Sequence, residues 1–324
     1  MCARRDEDPR DPETAIATRD AEVSFRARYG DAVISDDAHF YAIAASGSLT
    51  HVDAFERFCK DAEIGLVPEL PGPVRAEAVA ACYRVEEARY DPALLRGVCR
   101  RELEEAGVSV RLDTSADLHA LEEFEVRVLT SYSSLNELVS VWRMQFEVCE
   151  IPVVRLPAPY AGRSVVVLDG PFMSFDPIDR GRHALYHVDL SIHHRSVGDT
   201  PSIPPHLEAV LDRGPLDASS FSTFDRVRKA GRHFFIEFDP VYDGSMFALR
   251  AVLPDLEATD ARPTLIDWVD GETLVVFSGK VVTAVQAAAR ITELVGEQGR
   301  SSVTSERWPR RTSVRPTRIR RIRS

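Results

Sequence analysis

Residues 274–295, LVVFSGKVVTAVQAAARITELV, decide how this chain is read. An apolar, β-branched run ends at Phe277, a Ser278-Gly279-Lys280 turn follows, and the remainder carries helical spacing. A strand feeding a helix through a glycine turn is the elementary piece of an α/β fold. Free amides and the positive dipole end at such a helix start favour a carbonyl or an anion, which makes Ser278, Gly279 and Lys280 candidate cofactor contacts. A plain tight turn explains the same glycine without any ligand.

Upstream, PETAIATRDAEVSFRARYGDAV predicts a helix behind a proline, and HFYAIAA a short strand. SLTHVDAFERFCKDAEIG predicts a second helix, capped at Ser48 or Thr50 and stopped at Gly65. AVAACYRVEEARY is strand-like, and DPALLRGVCRRELEEAG is the clearest helix, with Asp91 as cap, Pro92 in its first turn and Gly107 at its end. VSVRLDT adds a β-branched strand, so residues 83–114 predict a strand–helix–strand unit long enough for a parallel crossover.

From Gln145 the texture changes to longer strands: QFEVCEIPVVRLP, SVVVLDGPFMSF with a turn at Asp169-Gly170, and HALYHVDLSIHH. The last alternates, with His183, Leu185, His187, Asp189, Ser191 and His193 expected on a polar face and Ala184, Tyr186, Val188, Leu190 and Ile192 on a buried one. DASSFSTFDRVRKAG predicts a helix and MFALRAVL a strand, so an α/β domain interrupted by an antiparallel sheet fits the order.

The 324 residues carry a net charge of −11, but eight arginines and Glu306 alone fall in residues 301–324, leaving a body of −18. An acidic body opposes nucleic-acid binding, and no run of 18 apolar residues predicts a membrane span. The charged amino terminus MCARRDEDPRDPETA lacks a signal-peptide core, so a cytoplasmic protein is expected. Five scattered cysteines without a CxxC pair predict buried thiols, not a disulfide framework or a zinc site. Residues 297–324 are expected to be a basic, disordered tail.

Two further groups could carry chemistry. His187 and Asp189, with His233, could supply a two-histidine, one-carboxylate iron site, against the alternative of a solvated or hydrogen-bonded sheet face. Arg250, inside an apolar strand, needs a partner: a structural carboxylate such as Asp260, or an anionic ligand. No GxSxG elbow or phosphate-cradling glycine loop is present.

Taken in order, YRVEEARYDPALLRGVCRRELEEAGVSVRLDT, EVRVLTSYSSLNEL, VVVLDGPFMSF, LRAVLPDLEATDARPTLI and LVVFSGKVVTAVQAAARI resemble FAD-dependent oxidoreductases of the D-amino-acid-oxidase-like superfamily, over roughly residues 9–296. The resemblance implies an FAD/NAD(P)-binding Rossmann-like domain at 9–144 and 262–296, with an inserted helix and strand segment near 40–80. It implies an antiparallel substrate or cap domain at 145–261. It places an adenine contact near Ala116, Thr130 and Ser131 where the family has a turn beside the cofactor, and Ser278-Gly279-Lys280 against the flavin ring. Arg250 or the His187 face would orient a small-molecule substrate for hydride transfer to FAD.

The chain departs from the family in one respect: it contains no GxG, and the βαβ unit that would carry the GxGxxG fingerprint is not found. The expectation is therefore a truncated flavin oxidoreductase whose retention of FAD has to be tested. Two other functions stay open: a catalytically inactive remnant acting as a binding or assembly protein, and an iron oxygenase built on His187, Asp189 and His233.

Overall fold

The order of elements is α1 (Pro12–Tyr29), β1 (Val33–Ile34), β2 (Ala38–Ala44), α2 (Val52–Asp61), β3 (Leu66–Pro68), β4 (Val79–Val85), β5 (Arg89–Tyr90), α3 (Pro92–Glu105), β6 (Arg127–Leu129) and α4 (Leu135–Leu138). It continues with β7 (Met144–Arg155), β8 (Arg163–Leu168), β9 (Met173–Pro177), β10 (His183–His187), β11 (Ile192–Gly198), α5 (Pro205–Glu208), α6 (Phe224–Phe234), β12 (Val241–Val252), β13 (Leu265–Trp268), β14 (Thr273–Phe277) and α7 (Ala284–Ser301). The computed structural model describes residues 12–179, 181–254 and 262–301.

β1 and β5 pair as a short antiparallel ribbon, and two larger sheets organise the other strands. A nine-stranded sheet runs β11-β7-β10-β9-β8-β2-β4-β3, with β12 along the other edge of the long strand β7. Its pairs are antiparallel except β2 with β8. The segment near 40–80 thus contributes strands to the same sheet as residues 144–252. A three-stranded sheet, β13-β14-β6, has β6 parallel to β14, and α7 follows it.

Alternation along the strands gives the large sheet two different faces. Phe40, Val165, Phe175, Leu185 and Val154 form one apolar face, closed by Tyr160, Phe235, Phe238 and the inward side of α6. That helix can lie so close because position 231 is glycine: a Cβ there would fall 2.3 Å from Phe238 and 2.7 Å from the Met173 sulfur. The opposite face is apolar only at one end, where α2 sets Phe55 and Cys59, four residues apart, on Ile43, Tyr83 and Leu168. Towards β7 it becomes polar.

Several expectations need correction. Val79–Val85 pairs with β2 and β3 in the large sheet, and residues 108–114 form no strand, so 83–114 is not a parallel crossover. β-branched residues favour a strand only where a neighbour accepts the backbone hydrogen bonds, and Val108, Val110 and Leu112 are all exposed. α2 has neither expected cap: Ser48 bonds within its own turn, to Thr50, and the buried Thr50 hydroxyl finds no partner. It also stops before Gly65, with Glu63 taking the left-handed conformation at φ 55°. The helix at Asp91 forms as expected, its carboxylate accepting from the Ala93 and Leu94 amides.

The strand HALYHVDLSIHH breaks after His187 into a hairpin, which reverses the predicted faces. The Nδ1 atom of His187 accepts from the Asp189 and Leu190 amides at 3.2 Å, and Ser191 Oγ accepts from the His187 amide. A ring spent on closing a turn packs inward, so His183, Leu185 and His187 are buried while Tyr186 looks to the polar side.

Candidate functional site

The carboxyl end of the small sheet collects most of the predicted cofactor contacts. Leu129 pairs with Val275 in parallel register, so the chain leaves β6 at Thr130-Ser131 beside the end of β14, one step before Ser278-Gly279-Lys280. Carboxyl ends of neighbouring parallel strands are where open α/β sheets take ligands. Thr130, Ser131 and Gly279 are exposed there. Ala116 lies in an exposed loop outside any strand, two residues from Leu118, which packs on the core beneath Leu129 and Phe277.

The turn itself differs from the expected one. α7 begins at Ala284, four residues beyond Lys280, after a short helical turn at Val281–Thr283. The hydroxyls of Thr264, Ser278 and Thr283 form a triangle with sides of 2.9 to 3.0 Å, and Ser278 and Thr283 both donate to the Lys280 carbonyl. Gly279 rides on Arg262, whose Cβ would stand 3.0 Å from a Cβ at position 279. Beside this turn a cavity of about 350 Å³ opens between α1, β13 and α7, lined by Thr18, Arg262, Thr264, Thr283, Gln286 and Arg290.

The second group is the polar face of the large sheet. Glu147 sits mid-strand in β7, with Arg195 of β11 and Arg250 of β12 directly opposite on either side. Its Oε1 accepts from Arg195 Nε at 2.8 Å and from the Gln145 amide at 2.9 Å. Its Oε2 accepts from Nε of Arg250 at 2.8 Å and from Nη2. Burial pushes the Glu147 carboxyl up, but the Arg250 and Arg195 guanidiniums outweigh it and hold the group below the usual carboxylate range. Nearby, burial raises the Tyr186 phenol to about 12 and lifts the Cys149 thiol above its usual value. Both are neutral near pH 7, so of these five side chains only Arg195, Arg250 and Glu147 carry charge.

Arg250 is thus a paired residue, and its partner is Glu147; Asp260 lies outside the described residues. His187 faces the α6 side and burial lowers its pKa, so it does not share a face with Arg250. The iron-site expectation fails: Nδ1 of His187 is used by the turn, His233 is exposed with its ring against Phe234, and no group of three metal-ligating side chains occurs among the described residues.

Tyr132 connects the two groups, a role the sequence reading did not assign. Its ring stacks on Phe277 at 5.6 Å and 8°, while its hydroxyl donates to the Ala251 carbonyl and accepts the Ala251 amide. Phe277 adjoins Ser278, and Ala251 adjoins Arg250. The only sequence hint was an aromatic residue directly after the Thr130-Ser131 turn.

On the far side of β7, Glu150 is completely buried. It accepts from His193 at 2.7 Å, from the Thr223 amide at 2.8 Å and hydroxyl at 3.0 Å, and from the Ser222 and Ser245 hydroxyls. Burial raises this carboxyl, and the donors bring it down to about 2. A charge at the amino end of α6 in this way anchors the helix to the sheet.

Among the described residues no helix is long and apolar enough to cross a membrane. Cys59, Cys82 and Cys149 are buried free thiols and Cys99 is half-buried; Cys2 lies outside the described residues.

No family model matches the chain, and no curated protein matches it in sequence. Solved structures do match. L-proline dehydrogenase from P. horikoshii aligns with a TM-score of 0.57 at 10% identity, over 86% of this chain and 76% of that one. L-amino acid deaminase from Proteus vulgaris aligns with 0.54 at 11%, over 84% and 78%. Glycine oxidase from Geobacillus kaustophilus aligns with 0.51 at 12%, over 84% and 73%. The fold expected from the family resemblance is the fold observed.

Proposed function

We propose that the chain is an FAD-dependent oxidoreductase acting on a C–N bond of a small amine or amino acid. The observation that carries this reading is the meeting of Thr130-Ser131 and Ser278-Gly279-Lys280 at one sheet edge, in a fold shared with enzymes that are named for acting on amino acids. The groups there suit a flavin ring: the exposed Thr130 and Ser131 side chains and the exposed backbone of Gly279 at the carboxyl ends of β6 and β14. Ala116 would lie towards the adenine end. The phosphate end is different, since the sequence has no GxG turn to bring backbone amides close to a pyrophosphate.

When bound, FAD supplies the hydride acceptor. The chain's own groups bind and orient: Arg250 and Arg195 offer cationic donors to an anionic part of the substrate. The test is to incubate the full chain with FAD and a panel of amines and amino acids, following dye reduction. Turnover with any member, lost in Arg250→Gln, is expected; no turnover from a chain that has retained FAD contradicts the assignment.

A second reading is favoured by one observation: one side of β6 is open among the described residues, and Val108, Val110 and Leu112 are exposed outside any strand. Under it the chain is an inactive binding protein or works beside a second chain that pairs with the open side of β6. Retention of FAD by the isolated chain separates the two.

A further inference from the structure

Glu147 presents a problem that stability does not solve. Its side chain is fully buried, while those of Arg250 and Arg195 are 30% and 48% exposed. The backbone ladder already joins β11, β7 and β12, and a buried ion pair is rarely more stable than an apolar pair of equal volume. The carboxylate has also used its acceptor positions: Nε and Nη2 of Arg250, Nε and Nη2 of Arg195 and the Gln145 amide all bond to it. It therefore has nothing left with which to hold a ligand directly, and what it does to a ligand passes through the arginines.

Two effects follow from that geometry. A planar guanidinium gripped at Nε and Nη2 cannot rotate, so the Nη1 edge of Arg250, which has no hydrogen-bond partner among the described residues, points one way. The carboxylate also withdraws one unit of positive charge from the pair. We propose that Glu147 is a positioning and specificity-determining residue, which fixes Arg250 and tunes the polar face to a singly charged carboxylate in preference to a dicarboxylate. The inference rests on the reading of this face as the substrate side.

Calorimetric titration of the full chain with acetate and with malonate tests it without need of turnover. The native chain is expected to bind acetate at least as well as malonate, and Glu147→Gln to shift the ratio about tenfold towards malonate. Glu147→Asp keeps the charge and is expected to restore the native ratio. Should Glu147→Gln fail to fold, Arg195→Gln, at an outward-reaching side chain, removes one positive charge and is expected to weaken acetate about tenfold. An unchanged ratio in folded Glu147→Gln, an unchanged acetate affinity in Arg195→Gln, or no binding of either anion by the native chain overturns the proposal. FAD retention is read separately by gel filtration. A chain that keeps FAD with an unshifted ratio sinks this inference alone, and a shifted ratio in a chain that loses FAD sinks the flavin reading alone.

Discussion

The nine-stranded sheet and the α/β half of this molecule handle their edges and charges in opposite ways. The sheet closes on itself energetically: Phe175 and Tyr160 are fully covered, and Glu147 and Glu150, both fully buried, have every acceptor position answered. The α/β half has three strands, one side of β6 open among the described residues, and a helix, α3, that buries none of its residues completely. Val108, Val110, Leu112 and Val128 face solvent. The large sheet is finished by its own packing, whereas the small one, open along one side of β6, depends on something further for its coverage.

That contrast can be broken by substitution. Phe175→Ala should cost about 3–5 kcal/mol in denaturant unfolding, because the ring is enclosed by Tyr160, Phe235 and His183. Leu103→Ala in α3, 39% exposed, should cost less than about 1 kcal/mol. Equal costs would erase the distinction.

Acid should reach the sheet through Glu150. Its folded pKa is depressed to about 2 from a usual value of 4.5, so the stabilisation is fully present above about pH 5 and is lost as pH falls towards 2. The loss is on the order of 3 kcal/mol. It should be absent in Glu150→Gln, which would start less stable at pH 7 and respond less to acid in the same unfolding titration.

Smaller effects belong to the α/β half. Gly279→Ala sets a methyl 3.0 Å from the Arg262 Cβ and should cost about 1 kcal/mol globally while disturbing the ligand edge, seen as weaker FAD retention. Val110→Lys, at an exposed position without pairing, should change stability by less than about 0.5 kcal/mol. A large loss there would mean that the segment is paired in solution.

The same contrast explains what the sequence made legible. Asp91-Pro92 and the repeating apolar positions mark α3 because a cap and a helical period are local signals. The final strand and helix are local too, although the hydroxyl triangle delays α7 to Ala284. Non-local facts were hidden. Residues 108–114 have the composition of a strand and no neighbour, and nothing in the segment encodes that. His187 carries the polarity of an exposed ring but spends it inside a turn. Arg250 announced that it needed a partner, yet only the β7–β12 register identifies Glu147 among the many acidic residues.

The central claim is that the edge formed by Thr130-Ser131 and Ser278-Gly279-Lys280 holds a flavin ring. The most direct measurement is the visible absorption spectrum of the purified chain after incubation with FAD and gel filtration, with Gly279→Ala alongside. Flavin bands that travel with the native chain and diminish in Gly279→Ala are predicted. A colourless native chain, or equal retention in both, would contradict the account.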